Sequence, residues 1–331
     1  MFRMLHRVNA FRASKTNLKE NWVINPLKET LVRKRWFSLA NEMERIQLYE
    51  KLDKVERQLL LYSFINKRLE LQFKNRPDNQ VKDRAVAQQL KTLLKLDNLK
   101  MKRILWDSPV IEKICLYEAV HPVKSLWDIK RRFGPDRRVY GLFTDSLANE
   151  PLAFIHIALL PDIANNIQSI INSSQVYSPQ EFQCAVCYTI TTQRAFGSIN
   201  LGRQLIQSAI ESLQKEFPQL KTYATLSPIP AFSTWATDQL DVNRSKLEDY
   251  KEILMDMCAQ YIVSTNKGRV LDPVANFHFN NGAIPQQIQW KADCSDKGMN
   301  ESFCMMINYI YECEKMKDRW ESYQKKGNVV V

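Results

Sequence analysis

Two short stretches hold the side chains best suited to proton transfer. Ser227 stands in Thr225–Trp235, TLSPIPAFSTW, and His278, one of four histidines, stands in Leu271–Ala283, LDPVANFHFNNGA. In the second stretch Asp272 and Pro273 open a turn, because proline fixes φ and restricts its predecessor. Asn280, Asn281 and Gly282 close it with residues that tolerate tight-turn conformations. Val274, Ala275 and Phe277 lie between, so the imidazole is expected on a loop with an apolar lining, a setting that holds it near neutrality. In the first stretch Pro228 and Pro230 stiffen the chain after Ser227 and hold one hydroxyl at the C-terminal edge of a sheet, where open α/β sheets bind ligands. Each stretch also fits a structural role: a hydrogen-bonded histidine, and a Ser-Pro turn opener or helix cap. The hydrolase elbow G-x-S-x-G is absent, and contact between the two residues does not follow from sequence.

A third candidate is the segment TTQRAFGSINLG with the Arg203 that follows it, which places Gly197, Ser198, Ile199, Asn200, Leu201, Gly202 and Arg203 between a strand and a helix. Glycine lets a backbone approach a phosphate, and a helix N-terminus presents free N–H groups to an anion. Arg194 and Arg203 add positive charge. Cys184 and Cys187 form a CxxC, but no second ligand pair accompanies them and they fall within an alternating strand, so no metal site is assigned. Among the other histidines, His156 reads as core or site wall, His121 as a cap or bridge, and His6 falls in the basic N-terminal segment. Trp127, Trp235 and Trp290 read as core.

These groups need a scaffold, and 331 residues predict about two domains of ~150 residues each. A hydrophobic content of 45% with 25% charged residues is that of a chain with a real core. No apolar run reaches the ~18–20 residues of a membrane span. The net charge of +11 is not matched by a nucleic-acid-binding motif. A phosphorylated ligand and a cationic targeting segment account for it equally. Seven cysteines at irregular spacing point to a reducing compartment. Residues 1–19 carry five basic residues before the first acid, Glu20, with an apolar helical face, the pattern of a mitochondrial presequence.

Residues 20–119 read as helical. Leu48, Leu52, Val55, Leu59, Tyr62 and Leu69 form one run, and Val86, Leu90, Leu93 and Leu94 another, with a break at Pro77. From 120 onward the texture is α/β. A helix is expected from His121-Pro122 to Gly134, then strands at Val139–Phe143 and Leu152–Leu160, the latter apolar enough to be central. A short helix over Ile163–Ile171, a half-buried strand over Phe182–Ile190, a helix over Leu201–Phe217 and a strand over Leu220–Leu226 complete the pattern.

Taken together, EAVHPVKSLWDIKRRFGPDRR (118–138), EPLAFIHIALLPDIANNIQSI (150–170), GSINLG (197–202), LSPIPAFSTW (226–235), DPVANFHFNNGA (272–283) and Asn308-Tyr309 resemble the malonyl-CoA decarboxylase family. The resemblance implies an α+β chain, a helical N-terminal domain at 20–119 and a GNAT-like α/β catalytic domain at 120–331. It places the active-site serine and histidine at Ser227 and His278, and the coenzyme A loop at Gly197–Arg203. It implies conversion of malonyl-CoA to acetyl-CoA and carbon dioxide, with no cofactor beyond the coenzyme A of the substrate. A homo-oligomer in the mitochondrial matrix, with no nucleic-acid partner, is expected. Ala231 stands where the family has glycine, and Asp272 where it has asparagine. A GNAT-type acyltransferase and a non-catalytic coenzyme A-binding protein are the alternatives.

Overall fold

The structure is a computed structural model and describes residues 26–39, 41–73, 77–266 and 268–326. The segment expected to be a presequence lies outside these residues. Four helices come first: α1 (Pro26–Phe37), α2 (Glu42–Lys51), α3 (Lys54–Phe73) and α4 (Pro77–Leu96). The run from Leu48 to Leu69 is split between α2 and α3. Asp53 causes the split, since its Oδ1 accepts the Glu56 N–H at 2.8 Å while Glu56 Oε2 accepts the Asp53 N–H at 3.0 Å. This reciprocal cap satisfies two N–H groups that a helix start leaves without partners. Trp36 is fully buried, with Tyr49 and Phe64 edge-on at 6.4 and 6.3 Å. Leu60 and Leu61 of α3 and Leu90 and Leu93 of α4 are fully buried as well.

There follow β1 (Lys100–Arg103), α5 (Ile111–Tyr117), α6 (Leu126–Arg132), β2 (Arg137–Phe143), β3 (Ala153–Leu160), α7 (Gln168–Ile171), β4 (Cys184–Thr192) and α8 (Leu201–Glu216). The last part comprises β5 (Thr222–Thr225), β6 (Ser227–Pro228), α9 (Phe232–Thr237), α10 (Lys251–Val263), β7 (Thr265–Asn266), β8 (Arg269–Val270), α11 (Pro273–Phe279), β9 (Ile284–Gln289), α12 (Asp296–Ser302), β10 (Met306–Ile310) and α13 (Cys313–Lys326). An eight-stranded mixed sheet has the order β1-β2-β3-β4-β5-β10-β6, with β9 on the other edge of β10. Helical region and mixed sheet make the chain α+β, the class expected. No helix among the described residues is long and apolar enough to cross a membrane.

Several elements differ from their sequence pattern. The helix expected from His121-Pro122 begins only at Leu126, because Glu118 Oε1 holds the N–H groups of Val120 and His121 in a turn at 2.8 and 3.1 Å. The helix over Ile163–Ile171 shrinks to α7. Asn166 Oδ1 accepts from the N–H of Gln168 and Ser169 and starts the helix there. Strand β4, which lies inside the sheet between β3 and β5, is buried on both faces from Cys184 to Tyr188 and not on one as expected. Trp127 is 47% exposed and is not a core residue, whereas Trp235 packs on Tyr261 at 5.1 Å.

The chain divides into two compact units. The first gathers the described residues up to Leu126 with Tyr140–Phe154 and Thr191–Leu205. The second gathers Trp127–Val139, Ile155–Ile190 and the described residues from Ile206 onward. In the second unit Ala158, Ile167, Ile170, Val186, Tyr188, Ala224, Leu226 and Met306 form an apolar cluster against the sheet.

Candidate active site

His278 is carried by a helix, not by a loop. Asp272 is the N-cap of α11, its Oδ1 accepting from Val274 and Ala275 at 2.9 and 2.8 Å, and Pro273 takes the first helical position. Asp-Pro before an apolar run is a helix start as well as a turn, because the carboxylate satisfies free N–H groups and proline has none to satisfy. Asparagine caps in the same way, so the Asp272 departure keeps the local geometry. Ala231, at φ −114°, needs none of glycine's freedom. The turn after α11 does need it. Gly282 has φ +80°, and a Cβ there would lie 2.1 Å from the Met316 carbonyl oxygen on α13. That close approach fixes α11, and so His278, against α13.

Ser227 is held by an interrupted strand. Antiparallel pairing sets Ile310 against Ala224, Ile307 against Ser227 and Met306 against Pro228, so β5 and β6 are one strand with a gap between Thr225 and Ser227. Side chains bridge the gap. Asn308 Nδ2 donates to the Thr225 carbonyl at 2.7 Å, and the Tyr309 N–H donates to Thr225 Oγ1 at 3.2 Å. The β9 register against β10 shifts at the same place, between Asn308 and Tyr309. An irregularity of this kind re-aims side chains next to it. Here it brings Ser227 Oγ to 2.9 Å from Thr225 Oγ1 and 2.9 Å from His278 Nε2, across 51 positions of chain.

The imidazole is held on three sides. Tyr311 Oη lies 2.7 Å from Nδ1, and the Tyr309 ring stacks on it with centroids 4.2 Å apart. His278 is 2% exposed, and burial pushes it from 6.5 down to about 3, so it is a neutral imidazole and not a group poised near neutrality. Desolvation disfavours the charged form, and no carboxylate among the described residues offsets it. Burial raises Asp272 to about 6, against the lowering effect of its two cap bonds. It also raises Tyr311 well above the ordinary phenol value, so this ring keeps its proton.

Thr225, Ser227, His278 and Tyr311 form a hydrogen-bonded chain with two self-consistent polarities. With the proton on Nε2, Tyr311 donates to Nδ1, Nε2–H donates to Ser227 and Ser227 donates to Thr225. With the proton on Nδ1, every bond reverses, and Ser227 donates to the imidazole. A neutral imidazole with a hydroxyl on each nitrogen can therefore either donate a hydrogen bond to Ser227 or accept one from it, according to which nitrogen holds the proton.

The segment Gly197–Arg203 belongs to the first unit. Residues Arg194–Phe196 form a 3-10 turn, and Leu201 and Gly202 open α8. Gly197 has an ordinary φ of −53°, whereas Ser198 and Asn200, which are not glycines, take left-handed φ of 64°. Ile199 and Leu201 anchor the segment by burying their side chains, while Ser198 and Asn200 are exposed and Arg203 is half-buried. The CxxC thiols are buried in β4 and pushed up to about 12 by desolvation. No group of three or more His, Cys, Asp or Glu among the described residues is placed to hold a metal ion. His156 is fully buried between Phe133 and Tyr188.

Sequence reading missed Tyr311, Thr225 and the bridging role of Asn308. Thr225 was within reach, two residues before Ser227 on an alternating strand. Tyr311 carried no signal, being an aromatic residue at the end of an apolar strand.

A family model described as the malonyl-CoA decarboxylase C-terminal domain matches residues 97–249 and 241–331. The chain is 36% identical over 280 residues to the mitochondrial malonyl-CoA decarboxylase of Rattus norvegicus, covering 70% of this chain and 57% of that protein. It thus spans little more than half the length of that relative. The crystal structure of malonyl-CoA decarboxylase from Agrobacterium vitis superposes with a TM-score of 0.74 at 24% identity, covering 99% of this chain and 88% of that one. The one from Rhodopseudomonas palustris does so with a TM-score of 0.65 at 23% identity, covering 92% and 97%. These two likenesses show a shared fold.

Proposed function

The chain belongs to the malonyl-CoA decarboxylase family, and from that premise we propose that it converts malonyl-CoA to acetyl-CoA and carbon dioxide. The observation that carries this reading is the 2.9 Å contact between Ser227 Oγ and Nε2 of a buried, neutral His278. Loss of carbon dioxide leaves the bonding pair on the thioester as an enolate, which the site must stabilise and protonate on carbon. The thioester carbonyl is the electron sink, and coenzyme A arrives as part of the substrate, so no separate cofactor is invoked. Ser227 contacts the malonyl carboxylate and donates the proton to carbon, and His278 resupplies the hydroxyl.

The reaction consumes one proton, which an imidazole at about 3 cannot store in the free protein. A malonyl carboxylate beside it supplies the opposite charge that raises its affinity for a proton. The substrate thus charges its own acid, and the proton is spent as the carboxylate leaves. Apolar surroundings weaken carboxylate solvation and favour its loss. The segment Gly197–Arg203 takes the coenzyme A phosphates, with the N–H groups at the start of α8 facing the anion. A homo-oligomer located in the mitochondrial matrix belongs to the same reading, in keeping with the relatives named mitochondrial.

The direct test is release of labelled carbon dioxide from carboxyl-labelled malonyl-CoA with stoichiometric acetyl-CoA. Turnover requiring an amine acceptor would replace this reading with acyl transfer, and coenzyme A binding without turnover would replace it with a binding protein.

A further inference from the structure

Arg68 on α3 is 2% exposed, an unusual state for a guanidinium. Its Nε and Nη2 donate to the two oxygens of Asp83 on α4 at 3.1 and 3.2 Å. The rest of the fork crosses to the segment before α8. Nη1 donates to the Ala195 carbonyl at 2.7 Å, and Nη2 to Ser198 Oγ at 3.0 Å. A return bond runs from Arg194 Nη2 to the Gln72 carbonyl at 3.3 Å, and Gln72 Nε2 reaches Asp83 Oδ1 at 3.3 Å. Asp83 already neutralises Arg68, so this arginine is poorly suited to bind a phosphate directly. It spans the two residues that flank Phe196 and Gly197, and one of them, Ser198, holds a left-handed φ of 64°. A left-handed conformation at a non-glycine residue is strained and persists only where its surroundings impose it.

We propose that Arg68, from the helical region, is a positioning residue that clamps the Ala195–Ser198 turn in the shape that receives the coenzyme A phosphates. The proposal rests on the reading of Gly197–Arg203 as the phosphate-binding segment. It assigns a substrate-binding consequence to helices that otherwise read as packing elements.

The test compares malonyl-CoA with malonyl-pantetheine, which keeps the reacting thioester and lacks the nucleotide phosphates. In the unaltered protein malonyl-CoA should have the lower KM. Arg68→Met should raise the KM for malonyl-CoA roughly tenfold, the effect of losing hydrogen bonds to a charged group, with a small change in kcat. It should weaken the Kd for coenzyme A itself by the same factor, and leave malonyl-pantetheine turnover nearly as it was. If Arg68→Met does not fold, Arg68→Lys keeps the charge beside Asp83 but lacks the planar fork, and should shift the KM in the same direction. Equal losses on both thioesters, or an unchanged KM and Kd in folded variants of a protein that prefers malonyl-CoA, would overturn the proposal. An unaltered protein that uses both thioesters equally would instead sink the phosphate-segment reading beneath it. The Kd measurement needs no turnover, so it stands apart from the decarboxylation reading.

Discussion

Tyr311 Oη and His278 Nδ1 lie 2.7 Å apart, on the side of the imidazole away from Ser227. This buried phenol holds the ring so that Nε2 faces the Ser227 hydroxyl. Tyr311→Phe leaves Nδ1 of a buried imidazole without its partner. The expected result is a fall in kcat of roughly tenfold with KM little changed, the effect of one buried hydrogen bond. Steady-state kinetics on malonyl-CoA measure it, and a kcat equal to that of the unaltered protein would remove Tyr311 from the relay.

The Ser227–His278 pair makes a larger claim. Ser227→Ala and His278→Asn should each lower kcat by ~10²–10⁴, the range for a positioned proton transfer. The double variant should be little worse than either single one, because the two groups act as a unit. Additive losses would show that they act separately.

The pH dependence has a definite sign. His278 is pushed from 6.5 down to about 3, so between those values the unfolded chain binds a proton that the folded chain refuses. Stability from this group therefore falls as pH falls through that window. Asp272, raised from 3.8 to about 6, acts oppositely, favouring the folded state as pH falls toward 3.8. His278→Asn removes the first effect and keeps the second. Denaturant unfolding at pH 7.5 and 5 should show the unaltered protein losing on the order of 2 kcal/mol more than the variant over that interval. The same burial predicts that kcat/KM, which reports the free enzyme, shows no histidine inflection near 6.5 from His278.

Gly282 should not tolerate a side chain. With φ at +80° and the Met316 carbonyl oxygen 2.1 Å from a Cβ position, Gly282→Ala forces α11 and α13 apart. Destabilisation of about 3 kcal/mol is expected, from strain and overpacking together. Activity should fall even in the fraction that folds, because α11 carries His278. A melting temperature equal to that of the unaltered protein would contradict this.

Residue types and local patterns were enough to single out Ser227 and His278 as candidates, each with a structural role equally open to it, and to place the central apolar strand Ala153–Leu160 and the α8 helix. Those features rest on proline punctuation and on hydrophobic periodicity, which act within a few residues. Local pattern failed where a side chain overruled it. Glu118 delayed α6, Asn166 shortened α7, and Asp272 turned an expected loop into a capped helix. The meeting of Ser227 with His278 comes from pairing β5 and β6 with β10 and from seating α11 on α13, contacts that join distant parts of the chain. The neutrality of His278 and the clamp of Arg68 on Ser198 have the same origin. Desolvation and hydrogen bonding depend on what surrounds a group after packing, and neighbours from 33 to 130 positions away cannot be read from spacing.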